Sequence, residues 1–176
     1  AATNTSLGKS INGNCTFGTI DVHSTVTGAP GGTVSIGCRE VIVNDKIDVR
    51  SNGGGNAGSV TILTTDVGTP PSTSASVVAF LSADLLASVS TTASTADGGS
   101  VYIGPVAGAT FRPFVEVHSG STIDVGAKNG GAGSIAIDAD TFDLDASSSI
   151  SADANATSGT HGGSIEISAT SATYTY

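Results

Sequence analysis

The 176-residue chain contains no methionine, no tryptophan, two cysteines and only 5% aromatic residues. So few rings argue against a large aromatic-lined pocket, and two cysteines alone cannot supply a four-ligand zinc site. Basic residues are scarce as well: six Lys and Arg stand against fifteen Asp and Glu, for a net charge of -9. With no basic stripe to neutralise phosphates, the sequence argues against nucleic acid and against anionic membrane surfaces as partners. Long apolar runs are missing too. The longest, Val77 to Ala87, is interrupted by Ser82 and Asp84 and is too short to span a bilayer. No charged segment followed by an apolar stretch marks a leader, and the opening Ala1-Ala2-Thr3 suits the far side of a signal-peptidase cut. The expectation is a secreted, extracellular or cell-surface protein that does not span a membrane.

What is plentiful is small. Glycine accounts for 24 residues, and Ser with Thr make up roughly a quarter of the chain, a high share for a globular domain. A mean hydropathy of +0.19 with 38% hydrophobic residues opposes wholesale disorder, which combines low hydrophobicity with high charge.

Internal repetition organises these small residues. A small pair, then Ser or Thr, a β-branched residue, any residue and Ile recurs five times. The copies are Gly31-Gly32-Thr33-Val34-Ser35-Ile36, Ala57-Gly58-Ser59-Val60-Thr61-Ile62, Gly98-Gly99-Ser100-Val101-Tyr102-Ile103, Ala132-Gly133-Ser134-Ile135-Ala136-Ile137 and Gly162-Gly163-Ser164-Ile165-Glu166-Ile167. A second motif precedes each: Ile20-Asp21-Val22, Ile47-Asp48-Val49, Val89-Ser90-Thr91, Ile123-Asp124-Val125 and Ile150-Ser151-Ala152. Their first residues are 27, 42, 34 and 27 positions apart, so the unit is about 27 residues with two insertions. Gly68-Thr69-Pro70-Pro71-Ser72 and Gly104-Pro105-Val106-Ala107-Gly108 are the expected surface loops. A third alternating stretch, as in Val41-Ile42-Val43, Val115-Glu116-Val117 and Phe142-Asp143-Leu144, completes most units.

Three short strands per unit, each stacked on its equivalent in the next, predict an all-β fold: a right-handed parallel β-helix, or solenoid, of about five coils. In this reading the glycine pairs provide tight corners with positive φ. Residues 1–14 form an N-terminal arm or cap, and 15–176 the parallel β-helix domain. Open ends of such a rod carry unpaired strand edges that must be capped, paired or polymerised. Ala172 to Tyr176 aligns with Thr141 to Leu144, so the chain is expected to stop on the first strand of a further coil.

Ile-Asp-Val followed by a glycine-rich turn and Gly-Gly-Ser-Ile-x-Ile resembles the repeats of filamentous-haemagglutinin-like exoproteins, which include two-partner-secreted adhesins and autotransporter passengers of bacteria. Ile123 to Ile137 is the best stretch, and residues 17 to 176 carry the pattern. The resemblance implies a surface-exposed adhesive or fibrous protein exported by a bacterium. The N-terminal secretion domain of a full two-partner exoprotein is not recognisable in Ala1 to Asn14.

Candidate sites follow from the same alignment. Asp21 and Asp48 fall on successive units and are the candidates for a shared Ca²⁺. A solvated acidic face is the favoured reading for them, and also for Asp138, Asp140, Asp143 and Asp145. Arg39, Glu40, Asp45 and Lys46 form one charged set, and Arg112, Glu116 and His118 another, but neither recurs at a spacing that selects a mechanism. His23, His118 and His161 are isolated, and no Gly-x-Ser-x-Gly elbow occurs. No catalytic residue and no cofactor are therefore assigned. Thr25-Val26-Thr27 and Thr173-Tyr174-Thr175 do not recur as a ladder for ice binding. Asn4-Thr5-Ser6, Asn14-Cys15-Thr16 and Asn155-Ala156-Thr157 match the N-glycosylation pattern.

Cys15 and Cys38, both on the approach to the Ile-Asp-Val strands of adjacent units, are expected to form a disulfide pinning the N-terminal end. The assembly interface is expected at Cys15, Phe17, Ile20 and Val22 on one end and Tyr174 and Tyr176 on the other. The resulting expectation is a structural filament or biofilm-matrix fibre made by end-to-end stacking, or an adhesive rod, with a homopolymer and a glycan or host-surface ligand as partners. A segment of a large adhesin is the alternative within that class. A carbohydrate-binding or polysaccharide-degrading protein is the alternative from another class, and its sign would be a groove lined by Asp, Arg and aromatic residues.

Overall fold

A computed structural model describes residues 4–9, 13–65, 76–90, 95–109, 111–154 and 161–174. Fifteen strands are present among them. The Ser/Thr-β-x-Ile motif forms one strand in each repeat: β4 (Thr33–Cys38), β7 (Ser59–Thr64), β10 (Ser100–Pro105), and the first halves of β13 (Ser134–Leu144) and β15 (Ser164–Tyr174). The third alternating stretch gives β2 (Asn14–Phe17), β5 (Glu40–Val43), β8 (Val77–Phe80) and β11 (Phe114–Val117). Short strands β3 (Ile20–Asp21), β6 (Lys46–Asp48), β9 (Asp84–Leu86), β12 (Thr122–Asp124) and β14 (Ser149–Ser151) complete the units. Asn4–Lys9 forms β1 and pairs in parallel with β4, so part of the segment expected as an arm or cap supplies an edge strand.

The expected right-handed β-helix is corrected by the sheet topology. The described strands form two parallel sheets. A ten-stranded sheet runs β1-β4-β7-β10-β13 and returns β11-β8-β5-β2, with β15 added beside β13; a five-stranded sheet runs β14-β12-β9-β6-β3. The larger sheet is thus bent back on itself and, with the smaller one, nearly encloses the core, closer to an all-strand parallel barrel than to a clear solenoid of three separate faces. The physical cause is β13. Between β4 and β5 a bend at Arg39 breaks the strand, whereas Ser134 to Leu144 continues through the equivalent point as one strand, its buried positions shifting phase between Ala139 and Phe142. Its first half pairs with β10 and its second half with β11, which joins two rows of strands into one sheet.

Two details of register also differ from expectation. Leu85, rather than Val89, occupies the Ile position of the third unit, between Ile47 and Ile123. Val89 bridges Ser51 and Ala127 instead. The Ile20, Ile47, Leu85, Ile123 and Ile150 positions are therefore 27, 38, 38 and 27 residues apart. Val77 to Ala87, the longest apolar run, contains β8 and β9. Residues 68–72, one of the expected loops, lie outside the described residues. In the other, Gly104 and Pro105 end β10, with the turn after them.

The core is a set of columns. Val34, Val60, Val101 and Ile135 stack in register, as do Ile36, Ile62, Ile103 and Ile137, all 2% exposed or less. Phe80 and Phe142 are the largest of the fully buried side chains. Each fully buried Ile or Val contributes roughly 1.5–3 kcal/mol relative to exposure, so the columns carry most of the favourable energy.

The glycine pairs serve a different purpose from the one expected. Among the described glycines, positive φ falls on Gly28, Gly54, Gly108 and Gly120, and on no glycine of the pairs. The pairs are places where one layer's backbone lies against the next. A Cβ on Gly58 would stand 1.8 Å from the Gly32 carbonyl oxygen, and one on Gly133 1.7 Å from that of Gly99. Only hydrogen fits there. Gly133→Ala should therefore destabilise the fold by at least about 2 kcal/mol, in the range of overpacked cores. Gly37→Ala, with nothing within 4 Å of its Cβ position, should change it little. Chemical denaturation of both variants checks this, and equal effects would contradict the close-packing account.

Candidate functional site

The two ends of the stack differ from its middle. Ile165 on β15 occupies the same column as Ile135, yet is 45% exposed where Ile135 is 1% exposed. Ile167 and Ala169 are half-buried against the core. At the opposite end Cys15, Phe17, Ile20 and Val22 are likewise half-buried and packed on the core, as their placement on or beside β2 and β3 requires. Tyr174 ends β15 opposite Leu144; its side chain and Tyr176 lie outside the described residues, as does the Asn155 sequon. Cys15 and Cys38 are joined in a disulfide with their Cα atoms 6.1 Å apart. It ties the end strand β2 to β4 in the next layer, and a crosslink of this loop length contributes typically 2–4 kcal/mol.

Asp21 and Asp48 pair in register on β3 and β6. With His23 they bring ligand atoms within 4.8 Å of one another, and such a group could hold a cation. Asp48, however, is not solvated as expected: its side chain is 1% exposed. Arg50 Nε donates to Asp48 Oδ1 at 2.9 Å and Nη2 to Oδ2 at 2.6 Å, while Lys46 Nζ lies 3.5 Å away. The guanidinium thus already supplies the positive charge that a calcium ion would bring. Burial alone pushes the Asp48 carboxyl up, but the hydrogen bonds and charge of Arg50, helped by Lys46, outweigh it and hold the group below the ordinary carboxylate range. Arg50 is raised in turn, chiefly by its hydrogen bond to Asp48. Asp21 is lowered principally by its side-chain contact with His23.

A local role for the recurrent Asp is also visible. Asp21 Oδ1 accepts from the His23 N–H, Asp48 Oδ1 from the Arg50 N–H and Asp124 Oδ1 from the Gly126 N–H, at 3.2, 3.1 and 2.9 Å. In each case the carboxylate closes a turn two residues on, a standard use of Asp at strand ends.

The charged sets read from sequence proximity hold together only in part. His118 contacts Glu116 at 3.3 Å and Asp145 at 3.1 Å, whereas Arg112 turns to Asp138, with Nε 2.9 Å from Oδ1. Asp45 accepts from Thr19, and Lys46 serves Asp48. A shallow concavity of about 560 Å³ follows the glycine pairs and is lined by Gly, Ala, Ser and Asn56. A second, of about 330 Å³, lies among Tyr102, Arg112, Asp138 and Glu166. Reasoning from sequence missed this group, although its signal was present: Tyr102, Ala136 and Glu166 all hold the variable position of the repeat motif. No helix among the described residues is long and apolar enough to cross a membrane.

No protein-family model matches the chain, and no curated protein or solved structure matches it significantly.

The Asp48–Arg50 pair generates an acid-dependent stability. The folded carboxyl titrates below its unfolded value, so its contribution is fully present above the ordinary range, near pH 4. It is lost as pH falls further through the folded value. Asp48→Ala should cost about 2–3 kcal/mol at neutral pH, less than the ~3–5 of a wholly buried pair because Arg50 can turn to water. It should also flatten the loss of stability below pH 4. Denaturant unfolding from pH 2 to 7 measures both, and an unchanged acid slope would contradict the assignment.

Proposed function

We propose that this chain is a structural, non-catalytic unit of an extracellular fibre or adhesive rod, built by end-to-end stacking of parallel strands. One observation carries the reading: the apolar columns are sealed in the middle layers and open at both end layers. On β15, an eleven-residue strand paired among the described residues only with β13, about half the backbone N–H and C=O groups point away from its partner. Such an edge is a template for another parallel strand. Covering Ile165 alone would contribute about 1 kcal/mol, around half the value of a fully buried Ile. Because the exposed surfaces at the two ends are different, their contact is heterologous and does not close, which generates a filament.

The Cys15–Cys38 disulfide supports an oxidising, extracellular setting. The resemblance of the repeat motifs to filamentous-haemagglutinin-like exoproteins supports export to a bacterial surface. The two ends serve equally for stacking on a second copy or on further layers of a longer adhesin, and the first is the form that the isolated chain can be tested for.

Negative-stain electron microscopy and sedimentation velocity of the purified, undenatured chain should show rods of uniform width that lengthen with concentration. The double variant Ile165→Lys, Ile167→Lys should give short particles with an unchanged far-ultraviolet spectrum. Monodisperse single chains at every concentration, or rods that persist in the variant, would overturn the reading.

A further inference from the structure

The variable position of the repeat motif lies on the outward side of the larger sheet, and its occupants form a column. Ser35, Thr61, Tyr102, Ala136 and Glu166 are successive register partners. Adjacent strands stand about 4.8 Å apart, so Tyr102 and Glu166 face each other across a gap of two strand spacings, with only the Ala136 methyl between them. The neighbouring column holds Asp138 paired with Ser168, and Gly104 beside Asp138. The small residues make the floor and the large ones the walls of a cavity of about 330 Å³, within the ~300–1,000 Å³ of small-molecule sites.

Its parts are held in place. A Cβ on Gly104 would stand 2.6 Å from the Tyr102 hydroxyl and 2.8 Å from the ring carbon that bears it, so the glycine lets the half-buried ring lie against its own strand. Arg112 comes from the segment before β11, and its Nε lies 2.9 Å from Asp138 Oδ1. That oxygen is inaccessible to solvent and has no partner of hydrogen-bonding geometry, which makes the contact an ion pair with donor capacity left on the guanidinium. Burial, followed by the Asp138 charge, raises the Tyr102 phenol above its ordinary value against the opposing charge of Arg112, so its O–H stays a donor.

We propose that this groove binds a neutral glycan, with the Tyr102 ring packing against the apolar C–H face of a sugar and Arg112, Asp138, Glu166 and Ser168 hydrogen-bonding its hydroxyls. An aromatic face beside a fan of donors and acceptors is the complement of a sugar ring, which is apolar on its faces and hydroxylated at its rim. Charge selects the class of glycan. Two carboxylates against one guanidinium, on a chain of net charge -9, repel polyanionic polysaccharides. The proposal stands independently of stacking, since every residue of the groove belongs to one chain.

Affinity electrophoresis of the dispersed chain through native gels containing laminarin, soluble starch, dextran or galactomannan, with alginate as the polyanionic comparison, tests it. Retardation by at least one neutral polysaccharide is expected. Tyr102→Ala should weaken it about tenfold, the size of a lost aromatic contact, and Arg112→Ala, in an exposed segment, should weaken it without unfolding the chain. Lys128→Ala, outside the groove, should leave it unchanged. Absence of retardation in all the neutral gels, retardation by alginate alone, or retardation undiminished in both groove variants would each overturn the proposal. Rod formation is scored separately by sedimentation, so failure of the filament reading and failure of the groove are distinguishable.

Discussion

In-register parallel stacking is the constraint on which everything else depends. Each residue of a middle layer has its own equivalents from the neighbouring repeats beside it, one strand spacing away. Hydrogen bonding, core packing and surface chemistry therefore become column properties. A column of Val or Ile seals itself, because identical branched side chains nest at that spacing. A column in which backbones touch tolerates no side chain at all, which is why Gly58 and Gly133 lie within 2 Å of where a Cβ would meet the next layer's carbonyl. The same spacing that makes the interior easy to fill makes its glycines irreplaceable.

Much of this was legible in the sequence because a repeat writes each column out several times. Five copies of the Ser/Thr-β-x-Ile motif located the strands and their inward residues, and the structure places those residues in register. What the sequence did not disclose was how the rows of strands join. Whether a corner breaks a sheet depends on backbone geometry over two or three residues. Asp138-Ala139-Asp140-Thr141 continues as strand where a bend at Arg39 separates β4 from β5, and the expected separate faces merge. The third copy of the Ile-Asp-Val motif was misplaced for a related reason. Val89 matches the β-branched pattern better than Leu85, but register is decided by backbone pairing along the whole layer, which puts Leu85 between Ile47 and Ile123.

The recurrent aspartates show the limit of reading alternation as exposure. Asp21, Asp48 and Asp124 sit at strand ends, and each closes a turn by accepting from the N–H two residues on. That local bond explains the repetition without a metal. Asp48 adds a side-chain contact to that turn, since the Arg50 guanidinium folds back on the same carboxylate and allows it to be buried. An Arg two residues after the Asp occurs in this unit alone; the equivalent positions are His23 and Gly126. One substitution in a repeat thus turns a common turn motif into a buried ion pair.

In the proposed assembly the variable column and the inward columns would divide the work. The inward column of Val34, Val60, Val101 and Ile135 ends in exposed Ile165 at one face of the stack, and another layer of the same kind would cover it. The outward column carries Tyr102 and Glu166, whose side chains project from the sheet rather than along it. A further strand beside β15 would add its own variable residue next to Glu166, lengthening the groove without filling it. Backbone edges and outward side chains point in perpendicular directions in a sheet, so growth along the stack and recognition across its surface do not compete for the same atoms. A repeat protein with one variable position per layer can therefore extend a conserved frame while changing what that frame presents.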